Sequence, residues 1–165
     1  VTVEEVYTNT FDARLLAWTE VGVTPYLQNT DADSINTNTD LREEGDWTFP
    51  VSAGSGTINS IKLRLENRLT VLDCGSADVY VWDGTSWVYV GVIGAWNTFG
   101  TFNWEEIDVS AILNTWAKIN ACEVYFHYNK FLTGIIHVRR LTRKVDYTVA
   151  AAGVASKRLL VGVGL

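Results

Sequence analysis

Residues 79–90 read VYVWDGTSWVYV, two runs of β-branched and aromatic residues set almost as mirror images about a polar centre. A helix would scatter these side chains around its circumference, whereas two antiparallel strands bring them into register. Asp83-Gly84-Thr85-Ser86 supplies the turn chemistry. Folding about Gly84 and Thr85 sets Trp82 opposite Trp87, Val81 opposite Val88, Tyr80 opposite Tyr89 and Val79 opposite Val90. Because side chains alternate along a strand, Tyr80, Trp82, Trp87 and Tyr89 share one face and the four valines share the other. The valines suit a core. The aromatic face needs something to cover it.

The same period of two recurs along the chain. In INSIKLRLE, Ile61, Leu63 and Leu65 alternate with Lys62, Arg64 and Glu66, a strand with one wet face. Further strands are expected at Trp104 to Val109, Glu123 to Asn129, Ile135 to Thr142 and Val145 to Val149, with weaker signals at Val3 to Tyr7, Leu15 to Glu20, Ser34 to Asn38 and Asp46 to Phe49. One stretch, SAILNTWAK, reads as a short helix, with Ser110 as its N-cap and Ile112 and Trp116 four apart. Many short strands split by Gly, Asn, Asp and Ser specify an all-β fold, an antiparallel β-sandwich of jelly-roll type with one short helix. At 165 residues the chain fits one domain, read as residues 1–149, followed by a spacer and an extended apolar strand at 150–165.

Charge narrows the partners. The chain carries 19 Asp and Glu against 13 Lys and Arg, a net charge of −6, which argues against nucleic acid because phosphate binding wants a basic face. Arg139, Arg140, Arg143 and Lys144 are the local exception; on a strand they divide between two faces and are expected as solvated edge charges rather than as a polyanion site. With no run of 18 apolar residues, no membrane span is expected. The imidazole bases are His127 and His137, which face each other across a strand pair if the turn between them centres on Leu132 and fall on opposite faces if the register slips by one residue. No Gly-X-Ser-X-Gly elbow, His-Glu-X-X-His helix or phosphate-binding glycine loop accompanies them, so a non-enzymatic protein is expected.

Two smaller features bear on setting. Asn29, Asp31, Asp33 and Asp40 in NTDADSINTNTD place oxygen donors at a spacing faintly like a calcium loop, a weak candidate for a structural Ca²⁺ clip. Ser34 stands where such a loop turns on Gly, and a plain loop is the competing reading. Cys74 and Cys122 each lie just ahead of an expected strand, a position that permits a disulfide between neighbouring strands or two buried thiols. The chain starts at Val1 and contains no Met, as does a mature fragment that has lost an N-terminal segment, or a chain cut at that point.

The order GTINSIKLRLE, then DVYVWDGTSWVYVG, then EEIDVSAILNTWAKINACEVYF resembles the secreted jelly-roll domains of archaea and bacteria called disaggregatase-related, or DNRLRE-type, which in turn resemble carbohydrate-binding modules. The resemblance covers roughly residues 15 to 147. It implies a secreted, extracellular or cell-surface protein with a jelly-roll fold.

What remains is the aromatic face and the tail. Tyr80, Trp82, Trp87 and Tyr89 could stack sugar rings of a polysaccharide, meet another protein chain, or lie beneath a neighbouring part of the same domain. In the tail, Leu159, Val161, Val163 and Leu165 share one face of an extended segment, and Leu160, Gly162 and Gly164 the other. Burying four such side chains is worth about 6–12 kcal/mol gross, so the segment needs a groove. That groove is either its own sandwich or the next copy of the chain. The leading expectation from sequence is an extracellular homopolymer, a filament or surface layer held by strand exchange; the alternative is a carbohydrate-binding module that uses the aromatic hairpin.

Overall fold

The computed structural model describes residues 1–9, 19–21, 34–37, 43–71, 75–94, 100–130 and 132–149. Among them, ten strands and one helix follow in chain order: β1 Thr2–Tyr7, β2 Thr19–Val21, β3 Ser34–Thr37, β4 Glu43–Thr48, β5 Thr57–Leu69, β6 Gly75–Trp82, β7 Trp87–Ile93, β8 Asn103–Asp108, α1 Trp116–Asn120, β9 Glu123–Lys130 and β10 Ile136–Thr148. They form two antiparallel sheets. The six-stranded sheet has the order β2-β3-β10-β5-β8, with β1 also paired to β10, and the four-stranded sheet has the order β4-β9-β6-β7. This is the β-sandwich that the alternating segments specify.

β10 is the spine of the larger sheet. It pairs with β5 along its length, with β3 at Ile136–Val138 and with β1 at Thr142–Tyr147. The run RLTRKV holds no Gly, Pro or Asn to interrupt it, so the two strands expected at Ile135 to Thr142 and Val145 to Val149 are one. Between the sheets, Ile61, Leu63 and Leu65 of β5 and Val138, Leu141 and Val145 of β10 pack in one cluster with Val79 and Val81 of β6 and Val124 and Phe126 of β9. Inward positions on every long strand are therefore removed from water, and outward ones form two exterior faces.

The helix starts later than expected. Its N-cap is Thr115, whose hydroxyl accepts from Lys118 N–H at 3.3 Å. Ser110, the expected cap, instead serves β5: its Oγ accepts from Ile61 N–H at 2.8 Å, while its own N–H and hydroxyl go to Asp108 Oδ1 at 2.9 and 2.6 Å. Trp116 then turns inward, donating its indole N–H to Gly56 O at 3.0 Å and standing edge-on to Tyr147 at 5.0 Å. Gly54 makes room for it, since a β-carbon there would collide with the indole ring.

Arg143 overturns the reading of its cluster as solvated edge charges. Its side chain is fully buried, with Nη1 donating to Ile119 O at 2.5 Å, Nη2 donating to Pro50 O at 2.9 Å, Glu4 Oε1 at 3.7 Å from Nη2, and the Phe49 ring 5.2 Å from the guanidinium carbon. The cause is a one-residue irregularity in the β10–β5 register between Val138 and Arg140. Simple alternation from Ile136 and Val138 would point Arg140, Thr142 and Lys144 inward; the bulge shifts the parity, so Leu141, Arg143 and Val145 enter the core.

Candidate functional site

The aromatic face is built from the hairpin tip outward. Asp83 Oδ1 accepts from Thr85 N–H at 2.9 Å, Thr85 Oγ1 at 2.7 Å and Ser86 N–H at 3.0 Å, and Asp83 N–H donates to Ser86 O at 3.1 Å. Gly84 takes φ +95°, a conformation glycine adopts without a steric penalty. The other carboxylate oxygen receives Lys118 Nζ at 3.0 Å, which ties the tip to α1. The Thr85 hydroxyl above all, then Lys118 and the two backbone N–H groups, hold the Asp83 carboxyl well below the usual carboxylate range.

This tip sets the register below it. Trp82 pairs with Trp87, Val81 with Val88 and Tyr80 with Tyr89, as the sequence specifies. Val79 pairs with Gly91 and not with Val90, because β7 carries a bulge at this point. The extra residue reverses the parity of β7 beyond it, exposing Val92 and placing Ile93 in the core.

A third strand completes the face. β9 lies on the other side of β6, with Tyr125 directly opposite Tyr80, Glu123 opposite Trp82 and His127 opposite Asp78. Tyr80 and Tyr125 stack at 4.6 Å with planes 2° apart, and Tyr80 meets Tyr89 edge-on at 5.6 Å. Trp82 and Trp87 are 5.6 Å apart, and Trp87 reaches across β6 to place its ring 4.8 Å from Tyr125. Five aromatic side chains thus form one contiguous surface over three strands. Tyr89 is 53% exposed, and the other four are half-buried. Asp78, His127 and Glu123 border the surface as half-buried polar groups.

Tyr125 is the member that sequence reasoning missed. Its alternation with Val124 and Phe126 marks it as facing away from the core, but its place beside Tyr80 depends on β9 being the neighbour of β6, a pairing between segments some 45 residues apart. The two imidazoles, by contrast, do not come together. His127 is on β9 of the four-stranded sheet and His137 on β10 of the six-stranded sheet, so the facing pair that a turn centred on Leu132 would give is not formed.

Other sequence expectations meet the structure unevenly. Cys122 is a buried free thiol, its pKa pushed up to about 12, chiefly by burial; Cys74, the partner considered for it, lies outside the described residues. The calcium candidates Asn29, Asp31, Asp33 and Asp40 also lie outside the described residues, as do the spacer and tail, 150–165, with Leu159, Leu160, Val161, Val163 and Leu165. Strand exchange between subunits therefore draws no support from the described structure. No helix among the described residues is long and apolar enough to cross a membrane.

Comparison with solved structures places the fold. The chain resembles a family 29 carbohydrate-binding module with a TM-score of 0.51 at 13% identity, over 87% of this chain and 90% of the other. A mutant of a family 29 module complexed with mannohexaose aligns with a TM-score of 0.46 at 12% identity, over 87% of this chain and 91% of the other. At such identities the likeness is one of fold: the jelly-roll-like β-sandwich of carbohydrate-binding modules. No family model and no curated protein matches the chain, so the resemblance to the disaggregatase-related group rests on sequence pattern alone.

Proposed function

We propose that this protein is a non-catalytic carbohydrate-binding module of the extracellular space or cell surface, holding a neutral polysaccharide on the outer aromatic face of β7, β6 and β9. The observation that carries this reading is the contiguous five-ring surface of Tyr80, Trp82, Trp87, Tyr89 and Tyr125. Aromatic faces turned outward on a sheet leave apolar area in water unless something covers it, and the apolar face of a pyranose ring is a matching cover. β7 and β9 are two strand spacings apart, about 10 Å, enough to carry about two hexose rings.

The rings are also preorganised. Each touches at least one other, so little rotamer freedom is lost when a sugar settles on them. Asp78, His127 and Glu123 on the same face offer acceptors and donors to sugar hydroxyls, which would be costly to desolvate unpaired. Among the described residues this face of β6, β7 and β9 presents carboxylates and no Lys or Arg, which favours neutral glycans over acidic ones.

The test is isothermal titration with a panel of soluble neutral and acidic polysaccharides. A neutral glycan should bind, and Trp87→Ala should weaken it by about 1–3 kcal/mol, with Tyr89→Ala, at an exposed position where folding is not at stake, causing a smaller loss in the same direction. Unchanged affinity in both variants would remove the aromatic face from the function. Silence across the panel, with a folded protein, would remove glycan binding altogether.

A further inference from the structure

The outer face of the six-stranded sheet treats its arginines unequally. Arg64 lies 4.8 Å over the Trp104 ring and is paired with Glu5 at 2.6 Å and Glu106 at 2.9 Å. Arg140 is paired with Glu66 at 3.2 Å. Arg68, two positions along β5 from Glu66, is also laid over an aromatic ring, 4.7 Å from the centre of Phe102, but among the described residues no carboxylate pairs with it. Directly opposite on β10 stands His137, whose ring meets Phe102 edge-on at 6.3 Å and whose Nδ1 is buried with no hydrogen-bond partner.

We infer that Arg68, Phe102 and His137 form a second binding site, one that receives the carboxylate of an acidic sugar on the face opposite the aromatic platform. The contact between the guanidinium and the Phe102 ring restrains the side chain before the ligand arrives, and a carboxylate matches the planar guanidinium fork through two parallel charge-assisted hydrogen bonds. His137 adds a nitrogen able to donate or accept. Burial first, and the Arg68 charge second, push its pKa down to about 4, so at neutral pH the imidazole is uncharged and the positive charge at the site is that of Arg68. The edge of Phe102 supplies an apolar contact for a sugar ring beyond the carboxylate. This site does not depend on the platform, because Arg68 and His137 lie on β5 and β10 of the other sheet and Phe102 immediately precedes its strand β8.

The experiment is an NMR-monitored titration of the whole chain with glucuronate. Its methyl ester, acetate and inorganic phosphate serve as comparison ligands. The expected result is saturable binding of glucuronate that moves the His137 and Arg68 resonances and is weakened about tenfold or more by Arg68→Ala. Arg68→Lys, which keeps the charge and loses the fork, should also bind more weakly than the parent. Arg64→Ala removes one positive charge from the same face without touching the site and should leave glucuronate binding close to that of the parent. Equal losses in Arg64→Ala and Arg68→Ala would mean a diffuse field and overturn the site. Equal affinity for phosphate, acetate or the methyl ester would overturn the acidic-sugar assignment, as would a parent protein with no saturable response.

Discussion

The two sheets close over one core but treat polarity in opposite ways. The four-stranded sheet is apolar inward, with Val79, Val81, Val124 and Phe126 buried, and aromatic outward. The six-stranded sheet carries ion pairs outward, joining Lys62, Arg64, Glu5 and Glu106, and buries two polar side chains inward, Arg143 and Asn67. Apolar surface left outward and charge turned inward both run against the free energy of transfer, so each departure needs a compensating role. Inward, the compensation is structural: Arg143 gathers the carbonyls of Pro50 and Ile119, and Asn67 Nδ2 donates to Glu105 Oε1 at 3.0 Å, an oxygen that also takes Gly94 N–H at 3.1 Å. These bonds pin the segments that connect strands. Outward, the aromatic rings contact one another, and the proposed glycan would cover the surface that these contacts leave exposed.

The largest effect should come from removing the inward charge. Arg143→Ala takes the guanidinium donor from Pro50 O, leaves Ile119 O to the Cys122 N–H at 3.3 Å, and opens a cavity under Phe49, for an expected loss of about 3–5 kcal/mol in urea unfolding. Arg143→Met keeps most of the volume and removes the buried charge, so its loss should be smaller than that of the alanine variant. If the two variants cost the same, packing volume is irrelevant here and the hydrogen bonds alone hold the connections. If neither destabilises, the contrast between the sheets has no energetic content on its inward side.

How much of this was legible depends on sequence distance. The pairs Trp82–Trp87 and Tyr80–Tyr89 are fixed by a four-residue turn and follow from local pattern. Tyr125 joins them only through the order of strands in the sheet, which alternation does not encode. The orientation of Arg143 was hidden for another reason. One bulged residue reverses inside and outside for the rest of β10, and RRLTRKV looks the same whichever parity it adopts. Similarly, Ser110 has the chemistry of a helix cap, but a nearer donor, the Ile61 N–H, claims its oxygen.

An intermediate effect is expected at the hairpin tip, which positions the outward aromatic rows. The Asp83 carboxyl is held below its ordinary value in the fold, so it contributes stability above the unfolded carboxylate pKa of about 4 that is lost progressively as the pH falls below that value. Asp83→Asn should remove this part of the acid limb in thermal melts run from neutral pH downward. It should also loosen the Trp82–Trp87 pair and weaken glycan binding by less than about tenfold. An unchanged acid limb would show that the turn and its Lys118 tie do not depend on the charge of the carboxylate.

The smallest effect tests the outward ion pairs themselves. Arg64 bridges Glu5 and Glu106 from a partly exposed position, its side chain 26% accessible and those of its partners 31% and 39%. Water and salt screen such pairs, and the Trp104 ring beneath the guanidinium adds a contact that is only partly desolvated. Arg64→Ala should therefore cost about 1 kcal/mol or less, and the part due to charge should shrink between about 0.1 M and about 1 M salt as the screening length falls from about 10 Å to about 3 Å. Denaturant unfolding of parent and variant at both salt concentrations measures it. A loss of several kcal/mol that salt does not reduce would show that the outward arginines of this sheet hold the fold as firmly as the inward one, and the two faces of β5 and β10 would then differ in position but not in role.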